Sequence, residues 1–299
     1  MAPIGDIDTR AIGRIPAGAI QPETQHMPAT ALPQYEVFAL RYGSVERSRN
    51  ENFIAHDPHD GPMPMDYFVW LIRGENRIWL VDTGFGADAA VQRYRHQIRC
   101  PISALQTLGI AASDVTDLII THLHYDHAGN LPLVPKARIH IQEAEMHYAT
   151  GHYMCHPVMR HSYSVDDVTE MVRNVYRDRV QFHDGDAELA PGLQLIKVGG
   201  HTQGLQAVRV HTQRGWVVVA SDASHFYENI DTESPFPIVF HLGDMLDGYH
   251  RLLALADSPA HLVPGHDPLV CVRYPAHGDT ANECYALHET PKADHEIGS

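Results

Sequence analysis

Asp117-Leu118-Ile119-Ile120-Thr121-His122-Leu123-His124-Tyr125-Asp126-His127-Ala128-Gly129-Asn130 is the stretch from which the fold of this chain is read. Leu118 to Thr121 are β-favouring residues, a short buried strand running straight into a polar loop. That loop holds three imidazoles and a carboxylate, ordered His-x-His-x-Asp-His. Side chains leaving a rigid strand end are pre-aimed, which a metal site requires. His122 and His124 lie two apart and can converge on one ion. Asp126 and His127 follow the turn, point elsewhere and suit a second ion beside the first. Imidazole with one or two carboxylates suits zinc, and also manganese, iron or cobalt. The competing reading is a solvated loop in a chain with 23 histidines. An ordered cluster behind an apolar strand favours the metal.

A two-ion site needs more ligands than one loop supplies, and three further strand ends offer them. Val198-Gly199-Gly200-His201-Thr202-Gln203-Gly204 sets a His between glycines, which allow a tight backbone and close approach. Val217-Val218-Val219-Ala220-Ser221-Asp222 ends a strand in a carboxylate that can bridge two ions. His261-Leu262-Val263-Pro264-Gly265-His266-Asp267 ends another in His266. Each alone reads as a turn residue. With the first loop they supply His122, His124, His127, His201, His266, Asp126 and Asp222.

Composition bounds the rest. The 299 residues are 44% hydrophobic and 20% charged, as in an ordinary globular protein able to bury a large core. A net charge of −15 repels polyanions, and no Lys/Arg cluster is visible along the chain, so nucleic acid is not an expected partner. The expected substrate is a small molecule, neutral or small enough for bound metals to outweigh the surface field. Cys100, Cys155, Cys271 and Cys284 are scattered, which reads as thiols in a reducing compartment. Met1 to Gln25 has no apolar core of a secretory signal, and no run approaches a transmembrane span. A cytoplasmic protein with no membrane partner is expected.

Residues 1–33 read as a Pro/Gly-punctuated arm and 34–299 as a single domain. Strands are expected at 35–42, 67–73 and 77–82, the last two joined by a hairpin at Gly74-Glu75-Asn76. Asp82-Thr83-Gly84-Phe85-Gly86 forms a tight turn opening a helix over 87–98. Another helix at 101–108 stops at Gly109. A neighbouring strand at 137–141 precedes a mostly helical stretch, 142–180, with an irregular His/Tyr/Met-rich middle. Residues 51–65, bearing His56 and His59, read as a loop able to reach the site mouth. The last third returns to strands at 193–198, 205–211, 216–220 and 261–263, with a helix over 243–256. Two similar halves are implied, without a clear sequence repeat. Residues 145–163 and 236–240 carry Met and aromatic side chains that line either a core or an apolar substrate pocket.

From about Tyr35 to His266 the chain resembles the metallo-β-lactamase superfamily, on His-x-His-x-Asp-His-Ala-Gly, Gly-His-Thr-x-Gly, Ser-Asp-Ala and Gly-His-Asp. The resemblance implies an α/β fold, a four-layer αβ/βα sandwich with its metal site at one edge of the two sheets. It implies two divalent metal ions, zinc foremost. His122, His124 and His201 would hold the first, Asp126, His127 and His266 the second, and Asp222 would bridge them. Asp82 matches a position that supports the metal loop. Within the superfamily the spacings of 74 residues from His127 to His201, 21 to Asp222 and 44 to His266 resemble the N-acyl homoserine lactonases, the quorum-quenching group. The implied enzyme is a dinuclear metal-dependent hydrolase that opens a lactone, possessing a metal-bridging hydroxide as its nucleophile. Asp126 would accept and return the proton. Those lactonases carry a Tyr three residues after the bridging Asp, where this chain has His225. His225 or Tyr227 would therefore contact the substrate carbonyl, or His225 would only line the wall.

Other members fit less well. Diiron flavoproteins carry a carboxylate where His124 stands, several true β-lactamases a Cys where Asp222 stands, and nucleases a basic surface. Glyoxalase II-like thioesterases need a longer basic C-terminal part than residues 268–299. Three alternatives stay open: a hydrolase of another cyclic ester or amide in catabolism, a mononuclear iron dioxygenase acting on sulfur, and a non-catalytic binding protein on the same fold. A homodimer is an expected assembly, through the N-terminal arm and the Tyr/Met-rich insertion.

Overall fold

The computed structural model describes residues 31–55, 58–74 and 76–292. Residues 1–30 of the expected arm, and His56, lie outside them.

The strands carry near-continuous apolar runs because both faces of the first sheet are covered. Along β1 (Glu36–Val45), Val37 and Ala39 enter one core while Phe38, Leu40 and Tyr42 enter another. β2 (Met65–Gly74) repeats this, with Phe68, Trp70 and Ile72 on one side and Tyr67, Val69 and Leu71 on the other. The period of two sends alternate side chains to opposite faces. β3 (Arg77–Val81), β4 (His96–Gln97), β5 (Asp117–Ile119), β6 (Arg138–Gln142) and β7 (Val180–His183) continue the sheet. The second sheet holds β8 (Ala187–Ala190), β9 (Leu193–Lys197), β10 (Gln206–Thr212), β11 (Gly215–Ser221) and β12 (Leu262–Pro264). β13 (Cys284–Ala286) returns to the first, whose order is β13-β1-β2-β3-β5-β6-β7 with β4 against β1. The second runs β12-β11-β10-β9-β8.

Helices cover the outer faces. α1 (Ala87–Gln92), α2 (Tyr125–Ala128), α3 (Glu143–Thr150), α4 (Pro157–Arg160) and α5 (Val165–Tyr176) lie in the first half; α6 (Tyr227–Asp231), α7 (Leu242–Leu255) and α8 (Leu269–Arg273) lie in the second. Trp70, Trp79, Leu195, Val208 and Val219 fill the space between the sheets. Met171 of α5 packs on the outside of the first sheet, and Met245, Tyr249 and Leu252 of α7 on the outside of the second. The result is the expected four-layer α/β sandwich. Parallel pairing of β3 with β5, and of β11 with β12, brings their C-terminal ends to one edge. Asp82, the His122–His127 loop, Asp222 and His266 all leave from those ends.

Several element expectations need correction. The helix over 87–98 ends at Gln92, because Tyr94 adopts φ 54° and His96–Gln97 pairs with Ser44 and Gly43 of β1. The helix at 101–108 is a 3₁₀ turn over Ser103–Leu108, closed by Gly109 at φ 69° as the sequence suggested. β7, β8, β13, α6 and α8 were not foreseen; their strands are short and owe their pairing to distant partners. Ser164 caps α5, accepting a hydrogen bond from the Asp167 amide. All four cysteines are free thiols. Among the described residues no helix is long and apolar enough to cross a membrane.

Candidate metal centre

Nitrogen lone pairs converge at the edge of the sandwich. His122 Nε2 and His201 Nε2 each lie 3.0 Å from His124 Nδ1. One imidazole nitrogen cannot accept two hydrogen bonds along one lone pair, so three nitrogens gathered this way fit a shared cation better than each other. Asp126, His127 and His266 form a second set with ligand atoms within 4.8 Å of one another. Asp222 lies between the two: Oδ1 is 3.1 Å from His127 Nε2 and 3.0 Å from His266 Nε2, and Oδ2 is 3.4 Å from His201 Nε2. His127 Nε2 is buried and lacks a hydrogen bond of acceptable geometry despite that short distance. An orphaned, buried nitrogen facing carboxylates is the environment a divalent cation completes. The donor set therefore fits divalent metal.

The opposite ring atoms fix how the imidazoles face. His201 Nδ1–H donates to the Ile238 carbonyl at 2.6 Å, and His266 Nδ1–H to the Asp66 carbonyl at 2.8 Å. Carbonyls only accept, so those tautomers leave Nε2 free to ligate. Asp82 does the same for His127, accepting from Nδ1 at 2.7 Å, and its other contacts are the Thr121 amide and hydroxyl, each at 2.8 Å. The Thr121 hydroxyl, having donated to Asp82, accepts from His122 Nδ1 at 3.1 Å. Both Asp82 (φ 63°) and Ser221 (φ 48°) hold left-handed backbone, so a strained turn precedes ligands in each half.

Electrostatics follow from burial. Desolvation holds His122, His124 and His201 below the usual imidazole range, so they stay neutral. For His127, burial acts the same way, but Asp222, Asp82 and Asp126 outweigh it and raise the pKa. Asp222 opposes its own desolvation through His127, His266 and His225 and is held low. The His127–Asp222 pair thus carries opposite charges, and the proton on His127 is the one a metal ion would displace.

A family model described as the metallo-beta-lactamase superfamily matches residues 63–266. The chain belongs to the metallo-beta-lactamase superfamily. A "Probable metallo-hydrolase" of Mycobacterium tuberculosis is 27% identical over 240 residues, covering 69% of this chain and 74% of that protein. An N-acyl homoserine lactonase of Bacillus cereus is 31% identical over 136 residues, 45% of this chain and 49% of that protein. A crystal structure of a quorum-quenching N-acyl homoserine lactone lactonase superposes with a TM-score of 0.66 at 24% identity, over 80% of this chain and 94% of that one.

Within this metallo-beta-lactamase fold the seven expected ligands come together, and the two expected substrate contacts do not behave alike. His225 reaches the centre, with Nε2 3.0 Å from Asp222 Oδ2 and its ring stacked 3.3 Å from that of Phe236. Its Nδ1 is buried without a hydrogen bond, and the ring lines the cleft beside Asp222. Asp222, His225 and His266 also form a ligand-like group of their own, a role for His225 the sequence did not suggest. Tyr227 must be corrected: it packs in the inter-sheet core under the Arg273 guanidinium and lines a separate cavity with Tyr274. The backbone of α6 turns it away from Asp222.

The most consequential residue missed is Glu145 on α3. Fully buried, it accepts from the amides of Leu123 and Gly204 and from the hydroxyls of Thr202 and Tyr163. It ties the His122–His124 segment to the His201 turn. A Cβ on Gly204 would lie 2.2 Å from the Glu145 amide nitrogen, which is why that position is glycine. The only signal available was an acidic residue on a short helix, and its partners are 18 to 59 residues away. Beside the centre lies a cavity of 520 Å³, walled by Tyr148, Val158, Met159, Ile238 and Phe240 and floored by His124 and His201. Part of the Met/aromatic stretch is thus pocket wall, while Met146 is core. Of the loop at 51–65, Met65 reaches the site.

Proposed function

We propose that this protein is a metal-dependent hydrolase that opens a lactone or related cyclic ester. The observation that carries the reading is the pair of ligand sets sharing Asp222 at the foot of an apolar cavity. On this reading His122, His124, His201, Asp126, His127, His266 and Asp222 hold two divalent ions, zinc given the predominance of imidazole donors. Ions held there supply Lewis acidity toward a carbonyl and bring the pKa of a water toward neutrality.

The chain's own part is orientation and proton handling. Asp126 is the ligand left partly exposed, its side chain 12% accessible and its carboxylate 4.0 Å from His127 Nε2. Tyr42 Oη donates to its carbonyl at 2.9 Å and fixes the α2 backbone. One carboxylate oxygen is therefore placed to take a proton and return it to the alkoxide leaving from the opened ring. His225 is a positioning residue, holding Asp222 Oδ2. Tyr148, Met159 and Phe240 exclude water and receive the apolar part of the substrate.

The test is proton release by the zinc-loaded protein in weak buffer with acyl homoserine lactones, simple γ- and δ-lactones and aromatic lactones. Turnover with about two ions bound, lost together with metal in His122→Ala and Asp222→Ala, is expected. Full activity in a variant without metal, or one iron bound and every lactone untouched, overturns it.

A further inference from the structure

Arg47 is distant in sequence from the close pair Arg93 and Arg95, yet all three line the mouth of the metal cleft beside His124, Asp126, Asp222 and His225. Each is half-buried and anchored along one edge. Arg47 Nη1 donates to Asn52 Oδ1 at 3.2 Å and contacts Met65 Sδ. Arg93 Nη2 donates to the His161 carbonyl at 2.9 Å, with the guanidinium 4.0 Å over the Tyr125 ring. Arg95 Nε donates to Tyr125 Oη at 3.0 Å and Nη1 to the Arg93 carbonyl at 2.9 Å. Among the described residues no carboxylate lies within 4.0 Å of any of them, although other arginines of this acidic chain are ion-paired. The acids that face them are Asp126, felt by Arg95, and Asp167, felt by Arg93. Asp126 belongs to the ligand sets, so with cations bound Asp167, beside Arg93, would be the facing acid left to balance three guanidinium charges.

This arginine lobe and the apolar cavity share His124, His161, Ser162, His201 and Ile238. The ligand nitrogens stand at their junction. One lobe is apolar and the other cationic, so a molecule spanning both has its reacting bond between an apolar group and an anion.

Resting on the hydrolase reading above, we infer that the substrate carries an oxyanion, carboxylate or phosphate, bound by Arg47, Arg93 and Arg95 while its apolar part fills the cavity of Met159 and Phe240. Planar guanidinium groups held by one edge present the remaining N–H groups to an oxyanion without further ordering. Net charge does not reveal this cluster, because Arg47 joins Arg93 and Arg95 only in the fold.

The experiment uses phenyl esters with a short arm ending in carboxylate, in phosphate or in neutral carboxamide, with the zinc-loaded full chain. The expected kcat/KM for one anionic ester exceeds that of the carboxamide about tenfold or more at low salt. The ratio falls as salt is added. It collapses toward one in Arg47→Gln and Arg95→Gln and is partly kept in Arg95→Lys. Whichever anion leads identifies the group. Equal rates for all three esters, or a ratio unchanged in the Gln variants, overturn the inference and leave the hydrolase reading standing. If no ester is hydrolysed, the hydrolase reading still stands or falls on the lactone panel, and calorimetry decides the arginine site with 4-phenylbutyrate and 4-phenylbutyl phosphate against 4-phenylbutanol. Preferential anion binding, weakened in the Gln variants, sustains the arginine site; no preference overturns it.

Discussion

Asp82 organises the centre without being one of its ligands. Its carboxylate accepts the His127 ring N–H and both donors of Thr121, and burial pushes its pKa up against those contacts. In Asp82→Asn one oxygen becomes an NH₂ that cannot accept from His127 or Thr121. Metal affinity is expected to fall about 10- to 100-fold, as for other partners of ligating histidines, read by competition with a chelator. Unchanged affinity would mean that the His127 tautomer is set elsewhere. Glu145 binds two loops where Asp82 binds one. Glu145→Gln faces four donors with a single acceptor oxygen, so at least one stays unpaired. A loss of about 1–3 kcal/mol is expected from the denaturant midpoint.

At the scale of elements, the turns rather than the strands hold the ligands in place. The turn before His201 packs against the start of α7: Gly200 has φ 86°, and a Cβ there would lie 2.6 Å from the Met245 backbone. The amides of Phe240 and His241 both donate to the Gly200 carbonyl at 2.8 Å, which holds the Ile238 acceptor over His201. Gly200→Ala combines left-handed strain with a backbone clash, and neither relaxes by moving a flexible side chain. It should destabilise the chain by about 2 kcal/mol or more and lower metal content. Circular dichroism melting and metal analysis read the two separately. A stable variant that still binds metal would show that α7 can shift.

Over the whole molecule, buried neutral histidines make stability depend on pH. Desolvation lowers the folded-state pKa of His122, His124, His201 and His225 below 6.5. Unfolded, each takes a proton near 6.5, so the unfolded chain binds more protons below that pH. The contribution is full above 6.5 and is lost as pH falls toward the folded values, by up to about 1.4 kcal/mol per pH unit for each group. His127 is raised and is protonated in both states below 6.5, so it adds no slope there. The metal-stripped protein should melt at lower temperature at pH 5.5 than at pH 7, and zinc should move the decline downward. A flat profile without metal would mean that the histidines are charged or exposed.

Local chemistry reveals itself in sequence because its cause is local. The apolar strand before His122 and the glycines around His201 specify strand end and turn by backbone sterics alone, so seven ligands on four loops and the Asp82 support were legible. The β13 and β7 strands were not, since three- and four-residue strands exist only through hydrogen bonds to distant neighbours. Tyr227 and His225 lie two apart, yet one enters the inter-sheet core and the other meets Asp222, a choice made by how α6 packs. Nor could spacing bring Glu145 under Gly204, or Arg47 beside Arg93 and Arg95. Backbone preference and apolar periodicity act over a few residues, so the sequence by itself determined the layers and the ligand loops. The cleft lobes, the buried hub and the charge at the mouth are sums over elements joined only when the two sheets pack, and tertiary structure alone decided them.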